Sequence, residues 1–470
     1  MSEYSNGTAA SAAPDNDGEY DEYSNSPVPE SAKTIGPLSI FGVLFGMSTA
    51  LIWFSLGAQL VHAFGTVNFL IGATSSALII GAATFLWARF ASRTGFNSDL
   101  VTRASGFGYF GSTVTALVLA TNCVLYFGFE GGIMINAMKA LFPTVPVLPL
   151  QIAFGLMFIP LTWFGARFIS LTMWITLPVV AVFLVLVAIH AANAPGDIDF
   201  WAYAPETVQF AAAGPAIAQV MVAMFGVAGI GAQSADFGRF IPSKRATVGG
   251  VLVGPVFCLV SYVTPLLFGA WLGIQLGESD PAIYFVGLFG VWGMLFVIIT
   301  QARINVSNIY TAAVQLASVA SRLGIRLARS WWVVITSLIC VAVLVSDLYS
   351  HVTVVLGVWG VIVLSWVFTV ASDLLINRKL LGLAPAVAYH SKRDLYPANP
   401  VGLISLGTAV TVGLPLSFGA GGPLGSTLAP FCAIAIAVIT PPIVATVTKG
   451  RYYHRPTKSP VELLADKTSV

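Results

Sequence analysis

Charged residues are scarce in this chain, at 9% of 470 residues, whereas 57% of the residues are hydrophobic. A soluble globular domain carries roughly 25% charged residues, so the composition excludes an ordinary soluble protein. The formal net charge of +2 is too small to indicate nucleic acid as a partner. We therefore predict an integral membrane protein whose main partner is the lipid bilayer.

Cysteine and histidine are also few. Four cysteines lie in apolar runs without the short spacings of a metal site, so we expect buried thiols. Five histidines are scattered along the chain with no ligand spacing. A membrane enzyme would need acids, His or Cys clustered near a membrane surface, and a channel would need a charged ring or repeated filter loops. The sequence thus predicts neither class, and no metal or cofactor.

The first 34 residues differ from the rest. They are rich in Ser, Asn, Ala and Pro, and they carry seven carboxylates against one base, Lys33. Such a segment cannot bury a core, so we predict a disordered acidic cytoplasmic tail over residues 1–34. It lacks the basic start and short apolar run of a secretory signal, so the first span is expected to insert without cleavage.

Long apolar runs dominate the remainder. A helix needs about 20 apolar residues to cross a bilayer, and twelve such runs lie at 39–62, 66–90, 112–135, 147–165, 169–190, 213–233, 247–273, 290–320, 331–349, 352–376, 400–420 and 426–447. The stretch DPAIYFVGL, between the seventh and eighth runs, is predicted to form a short helix in an external loop. We predict an all-α membrane protein with 12 transmembrane helices: a ten-helix core over 35–376, a cytoplasmic loop over 377–399, two peripheral helices over 400–447 and a basic tail over 448–470.

Basic residues set the orientation, because cytoplasmic loops retain Lys and Arg. All of the 22 Lys and Arg residues except Lys139 and Arg303 fall in the tails and in the loops that are internal if the amino terminus is cytoplasmic. Both termini are therefore predicted to be cytoplasmic, in a multi-pass protein of the cell membrane. The oligomeric state is left open.

Two charges stay within predicted spans. A charge near a bilayer centre costs about 2.5 kcal/mol or more, so Glu130 in span 3 and Arg303 in span 8 are functional candidates. A structural carboxylate bonded to a neighbouring helix is the alternative for Glu130. Arg303 is too far from either end of its helix to reach water by extension. Asp236 and Arg239, at the inner end of span 6, are expected to form a gate or a structural helix-end pair.

Polar side chains follow helical spacing in both of these spans. Asn122, Tyr126 and Glu130 recur every four residues and so share one face, where a ring beside hydrogen-bonding groups suits a flat polar heterocycle. Packing alone would equally explain Tyr126. In span 8, Asn305 and Asn308 share a strip with Gln301, and Arg303 lies on the edge of another.

Spans 1 and 6 carry the marks of interrupted helices. Span 6 has Gly226, Gly229 and Gly231 in quick succession, and span 1 contains SLGAQ, with Ser55, Gly57 and Gln59. Unwound backbone at membrane depth is tolerated where it lines a cavity, and paired interruptions in a transporter indicate the binding site. Close helix packing is the other use of such glycines.

Four segments together resemble the nucleobase:cation symporters of the purine and cytosine permease group. They are ASRTGFNSDLVTRASGFGYFGS after span 2, YFGFEGG in span 3, QSADFGRF closing span 6 and RINVSNIYTAAVQLA in span 8. The resemblance implies a leucine-transporter-type fold, with two inverted five-helix repeats over about 39–190 and 213–376 and alternating access around a midplane site.

The resemblance also implies roles for individual residues. Tyr126 and Glu130 would take the places of a stacking tryptophan and a glutamine, and Asn308 matches a substrate-binding asparagine, with Asn305 a second candidate. Span 6 would contribute Phe225, Gly226 and Val227. Gln59 of span 1 is a further substrate-site candidate, and Ser55 and Gly57 are candidates for the cation site.

Two departures from the family pattern shape the functional expectation. An ionised carboxylate at position 130 only accepts hydrogen bonds, so the site should prefer ligand faces with N–H donors. Arg303 stands where relatives place a sodium-binding hydroxyl residue, and a permanent cation there would make sodium unnecessary. We expect import of a nucleobase, cytosine or a purine, coupled to protons or at least independent of sodium. Transport of allantoin, a hydantoin, pyridoxine or a thiamine-like ring, with possible sodium coupling, is the alternative.

Overall fold

A computed structural model describes residues 26–455 except 48–49, 164, 195–197, 206–215 and 326. Within these ranges the chain is helical or irregular and contains no strand. A helix, or a pair of helices, lies at each of the twelve predicted apolar segments. In the first half these are α1 (Pro37–Met47), α2 (Leu51–Phe64), α3 (Thr66–Thr94), the short α4 (Ser98–Thr102), α5 (Thr113–Leu141), α6 (Val147–Trp163), α7 (Gly165–Ala192), α8 (Ala216–Phe225) and α9 (Gly229–Gly238).

The second half continues in the same way. Its helices are α10 (Ala246–Val251), α11 (Thr264–Leu276), α12 (Pro281–Phe289), α13 (Val291–Arg322), α14 (Arg329–Val345), α15 (Val352–Ser372), α16 (Pro400–Ser417) and α17 (Gly422–Val447). Wider π-type turns at Leu252–Val256 and Leu259–Val263 lie between α10 and α11, and another at Asp373–Leu380 extends α15.

Six helical stretches in the described part are long and apolar enough to cross a membrane. They are Thr66–Thr94, Thr113–Leu141, Ser243–Leu276, Leu348–Leu380, Pro400–Ser417 and Gly422–Val447. Shorter apolar helices, such as Leu51–Phe64 and Ala216–Phe225, accompany them. The protein is thus a helical, multi-pass membrane protein, as its composition predicts.

The predicted interruption of span 6 is present. Helix α8 ends at Phe225 and α9 begins at Gly229, and the N–H groups of Gly226, Val227 and Ala228 each donate to a carbonyl three residues back. A Cβ atom at Gly226 would lie 2.4 Å from the carbonyl oxygen of Leu356. Glycine at this position therefore lets the interrupted backbone rest directly on α15.

The interruption of span 1 lies elsewhere than predicted. Ser55, Gly57 and Gln59 are inside the continuous helix α2, whereas α1 ends at Met47 and Ala50 is extended (φ −69°, ψ 143°). Gly57 serves packing instead, because a Cβ there would lie 2.0 Å from the carbonyl oxygen of Leu266 in α11. The glycine marks a close approach of two helices rather than a break in one.

The short helix predicted between the seventh and eighth spans is confirmed as α12. Asp280 caps its first turn, since the carboxylate accepts a hydrogen bond from the N–H of Ala282 (2.8 Å), and Pro281 takes the first helical position. Both residues are typical of a helix start. Asp280 supplies an acceptor for an N–H group that has no partner within the helix, and Pro281 has no N–H group that would need one.

The predicted tail over 1–34 extends too far along the chain. Residues 1–25 lie outside the described residues, but Lys33 is buried and donates to the carbonyl oxygen of Ser92 (2.7 Å). Val28 N–H donates to the carbonyl oxygen of Gly95 (2.9 Å). Glu30 accepts hydrogen bonds from the N–H and hydroxyl of Ser243 (2.9 and 2.6 Å). The last residues of that segment therefore pack against the end of α3 and the connection after α9.

Candidate functional site

The carboxylate of Glu130 lies in the contact between α5 and α13. Glu130 is fully buried, and its Oε2 accepts a hydrogen bond from Nε2 of Gln301, which is also fully buried. Arg303 is 7% exposed and interacts electrostatically with Glu130. The two charges that the sequence left in the membrane therefore influence each other electrostatically. Sequence reasoning placed Gln301 on the polar strip of span 8 but did not identify it as the partner of Glu130.

Asn122, two turns earlier on α5, lies beside the interruption of span 6. Its Oδ1 accepts a hydrogen bond from Nε1 of Trp359 in α15 (3.0 Å). A Cβ atom at Gly229 would lie 2.8 Å from the same oxygen. The amide is therefore adjacent to the first residue of α9, and it also anchors the indole of span 10.

Tyr126 lies between Asn122 and Glu130 on the predicted shared face. It is 8% exposed, and its ring packs edge-on against Phe129 at 5.9 Å. Its hydroxyl is buried and makes no hydrogen bond to the described residues. The ring combines a packing role with a polar group that a ligand or a water molecule can contact.

The two asparagines of α13 bond to each other and to α5. Asn308 Nδ2 donates to Oδ1 of Asn305 (3.1 Å), and Asn305 Nδ2 donates to the carbonyl oxygen of Phe127 at a long 3.5 Å. Asn305 is fully buried, whereas Asn308 is half-buried. Asn308 is thus the more accessible of the two, and Asn305 positions it.

The three residues expected from the interruption of span 6 face different ways. The ring of Phe225 packs edge-on against Phe431 of α17 at 5.4 Å, toward a predicted peripheral helix. The carbonyl oxygen of Val227 accepts a hydrogen bond from Tyr262 (3.2 Å), which stacks on Trp53 of α2 at 5.4 Å. Tyr262 thus contacts the interruption directly, and Trp53 stacks on Tyr262. No spacing in the sequence distinguished these two aromatic residues from core residues.

The candidates of span 1 form a hydrogen-bonded chain. Gln59 Nε2 donates to the hydroxyl of Ser55 (3.0 Å), and that hydroxyl lies 2.8 Å from the hydroxyl of Tyr349. Nearby, Nδ2 of Asn136 in α5 donates to Oδ2 of Asp280 (2.6 Å). These contacts join α2, α5 and the segments before α12 and α15 at the end predicted to face outside.

Asp236 and Arg239 lie at the opposite end. The N–H and hydroxyl of Ser98, the first residue of α4, both donate to the carboxylate of Asp236 at 2.8 Å. Arg239 Nε donates to the backbone carbonyl of Asp236 (3.1 Å). The partner that sequence reasoning missed is Ser98, which lies in the first of the four segments that carried the family resemblance.

A sequence model described as "Permease for cytosine/purines, uracil, thiamine, allantoin" matches residues 27–422. The chain belongs to this family. No curated protein sequence matches the permease.

Solved structures with the same fold cover nearly the whole permease. Mhp1 in an inward-facing conformation matches with 16% identity and a TM-score of 0.69, covering 92% of this chain and 97% of that one. Mhp1 in a closed conformation with bromovinylhydantoin bound, described as a nucleobase-cation-symport-1 family transporter, has 17% identity and a TM-score of 0.59, with 91% and 95% covered. A manganese transporter of Eremococcus coleocola has 13% identity and a TM-score of 0.51, with 93% and 99% covered. The permease therefore has the fold of these transporters.

A cavity of about 740 Å³ opens at the predicted inner end of the permease, next to Asp236. Asp99 of α4 lies at its edge and pairs with Arg103 (2.5 Å) and with Arg322 at the end of α13 (2.8 Å). Because Ser98 binds Asp236 and the adjacent Asp99 binds Arg322, the short helix α4 connects α9 to α13.

Proposed function

We propose that this permease is a secondary active transporter that imports a nucleobase, cytosine or a purine, across the cell membrane by alternating access. In this proposal the twelve predicted segments all cross the membrane with both termini cytoplasmic. The first ten form two inverted five-helix repeats, and the last two are peripheral. Coupling is to protons, or transport is at least independent of sodium. The observation that carries the proposal is the fully buried carboxylate of Glu130 between α5 and α13, on the same helix as Asn122, which lies beside the interruption of span 6.

The chemistry of the candidate site residues supports a flat, nitrogen-rich substrate. Tyr126 and Tyr262 offer rings, Asn122 and Asn308 offer amides, and an ionised Glu130 only accepts hydrogen bonds. The N–H and amino groups of cytosine or adenine would complement that acceptor. In the proposal Asn308 binds the ligand directly, because it is less buried than Asn305.

Arg303 supports independence from sodium. A guanidinium is charged at any physiological pH, so it supplies at that position the positive charge that a bound cation would bring. The hydroxyl of Ser55 is bonded to Gln59 and Tyr349, and Gly57 packs against the backbone of α11. Both residues are engaged in contacts within the protein in this conformation, which favours Arg303 for the proposed role.

The second candidate function is transport of another small nitrogen heterocycle on the same site. The family description includes thiamine and allantoin, and Mhp1 has been solved with a hydantoin bound. Both kinds of ligand are rings with N–H or amino donors, so the acceptor chemistry of Glu130 suits them too.

Ligand binding to the purified protein separates these possibilities. The thermal unfolding midpoint is measured with cytosine, adenine, hypoxanthine, uracil, allantoin, pyridoxine and thiamine, each in sodium and in choline buffer. A ligand that binds only the folded state raises the midpoint. We expect equal shifts with a nucleobase in both buffers. A shift only with allantoin or a vitamin would show that the substrate is that compound rather than a nucleobase. A shift confined to sodium buffer would contradict the proposed role of Arg303.

The variant Glu130→Gln tests the site itself. It keeps the size of the side chain but replaces an acceptor-only group with one that both donates and accepts. We expect nucleobase uptake to be lost or redirected to another ring while the protein remains folded. Asp199→Asn, in an exposed loop, is the matched control and should transport normally. Unchanged uptake and selectivity in Glu130→Gln would rule out the proposed role of this carboxylate.

A further inference from the structure

Glu130 and Gln301 form a pair with an unusual pattern of unsatisfied atoms. Both side chains are fully buried, and one hydrogen bond joins Nε2 of Gln301 to Oε2 of Glu130. The remaining oxygen of each group, Oε1 of Glu130 and Oε1 of Gln301, is buried and has no hydrogen-bond partner. Two acceptor oxygens are thus left over in two groups that already touch.

The ionised form of Glu130 cannot satisfy the leftover oxygen of Gln301, whatever other donors face the carboxylate. A carboxylate and an amide oxygen are both acceptors only, so neither can donate to the other. Each buried oxygen left without a partner costs roughly 1–3 kcal/mol. A single proton on Oε1 of Glu130 removes both deficits, because the new O–H donates to Oε1 of Gln301. A carboxylic acid and a primary amide paired in this way form a ring of two antiparallel hydrogen bonds.

We propose that Glu130 is protonated in this conformation and that Gln301 is the positioning residue that holds it, as a carboxylic acid–amide pair. The role of this proton in transport rests on the proposed function. The pairing itself does not, because it is a property of the empty protein. This separates the test of the pair from the test of the substrate.

Several groups act on Glu130 and determine how its ionised form is stabilised once the proton has left. Arg303 comes from α13, and Tyr126 comes from α5 itself. Tyr349, before α15, also interacts with Glu130, and it interacts in turn with Asp280 at the start of α12. From α2 only a backbone N–H, that of Ile52, faces the carboxylate. Arg303 is the one cation in this set.

Gln301 and Arg303 therefore serve the two protonation states of one carboxyl group. They are two residues apart on α13, about 200° around the helix, so their side chains leave it in nearly opposite directions, and only Gln301 is hydrogen-bonded to Glu130 in this conformation. The acid pairs with Gln301. On dissociation the O–H bond breaks, the proton passes to water, and the carboxylate that remains is stabilised by Arg303. Oε1 of the carboxylate can then accept an N–H donor from a ligand, so the site exchanges a proton for a substrate contact.

Infrared difference spectroscopy of the full-length protein in lipid nanodiscs, without substrate at neutral pH, tests the pair. A protonated carboxyl group has a C=O stretching band that a carboxylate lacks, and deuterium oxide shifts it. We expect this band in the wild type minus Glu130→Gln spectrum. Gln301→Leu should move the band to higher frequency, because the carbonyl loses the N–H donor of Gln301. Gln315→Leu, on the same helix near the inner cavity, is the matched control and should leave it in place.

Two outcomes would overturn the inference. If wild type and Glu130→Gln do not differ in the carboxylic acid region, Glu130 is ionised. If the band is present but unchanged in Gln301→Leu, the acid is not paired with Gln301. Thermal unfolding midpoints identify a variant that has not folded, and Gln301→Met then repeats the measurement with a flexible side chain of similar length. Absence of nucleobase binding would contradict the proposed function and leave this result unaffected.

Discussion

The two ends of the permease are held together by different chemistry. At the predicted outer end the cross-links are short hydrogen bonds of half-buried or buried groups, Ser55 with Tyr349 and Asn136 with Asp280. At the predicted inner end Asp99 forms ion pairs with Arg103 and Arg322 beside a cavity of about 740 Å³. Ion pairs that line a water-accessible cavity are screened by salt more than hydrogen bonds in a packed region are. The ion pairs of Asp99 are therefore easier to rearrange than the outer hydrogen bonds, and variants at both ends test this difference.

Asp236→Ala should have the largest effect on stability, although it lies at the inner end. The substitution removes the acceptor for both the N–H and the hydroxyl of Ser98. Hydrogen bonds to a charged group contribute about 1.5–3 kcal/mol each, and Asp236 is half-buried, so we expect a loss of about 2 kcal/mol. The thermal unfolding midpoint measures it. Asp236→Asn retains an acceptor oxygen and should lose less; equal losses would show that the hydrogen bonds to Ser98 are not the cause.

Tyr349→Phe tests the outer end. It removes the hydrogen bond to Ser55, which contributes about 1 kcal/mol, or about fivefold in an equilibrium constant. We expect faster alkylation of a cysteine placed at Thr353, which lines a cavity of about 390 Å³ at this end. The control is Tyr284→Phe, since the hydroxyl of Tyr284 is buried without a hydrogen-bond partner among the described residues. If both variants alkylate at the wild-type rate, this bond does not hold the outer end closed.

Arg322→Gln should have a smaller effect that depends on salt. It leaves Asp99 with Arg103 alone and removes donors to Ser112 and Thr113. Because Asp99 keeps Arg103 as a partner, we expect a loss of stability of about 1 kcal/mol at low ionic strength that narrows in high salt. Unfolding midpoints across a salt series give the comparison, with the exposed Arg245→Gln as reference. A large loss that salt does not reduce would contradict the difference drawn between the two ends.

The smallest expected effect concerns the contact between Glu30 and Ser243, which should depend on pH. Hydrogen bonds from Ser243, with a further contribution from Lys33, lower the pKa of the exposed Glu30 from 4.5 to about 2. Because the folded pKa is depressed, this stabilisation is complete above about pH 4.5 and is lost as the pH falls toward 2. A fluorophore on a cysteine at Ser26 should gain mobility over that interval. The same probe in Glu30→Gln should show no such transition, and an identical transition would assign it to other carboxyl groups.

Much of the fold could be predicted from local pattern. The length of each apolar run located the helices, since a membrane excludes unsatisfied backbone over about 20 residues. The cluster Gly226 to Gly231 located the interruption of span 6, and Asp280 with Pro281 marked the start of α12. The prediction that Gly57 of SLGAQ interrupts span 1 was wrong. Glycine occurs both where helices pack closely and where a helix is interrupted, and only the position of α11 shows that Gly57 serves packing.

The candidate site was predictable only in part, for a related reason. Spacing along one helix placed Asn122, Tyr126 and Glu130 on one face, and scarcity of charge singled out Glu130 and Arg303. Periodicity does not say which neighbouring helix a side chain meets. The pairing of Glu130 with Gln301, of Asp236 with Ser98 and of Phe225 with Phe431 each depends on how two distant segments approach and rotate.

By itself, the sequence determined that this is a helical membrane protein, where its helices lie and which polar groups remain inside, because these follow from hydrophobic length and the cost of burying charge. The tertiary structure decided what those groups bind and where the backbone of span 1 opens. Hydrogen bonds are short and directional, so partner choice depends on positions within an ångström or so that no local pattern in the chain records.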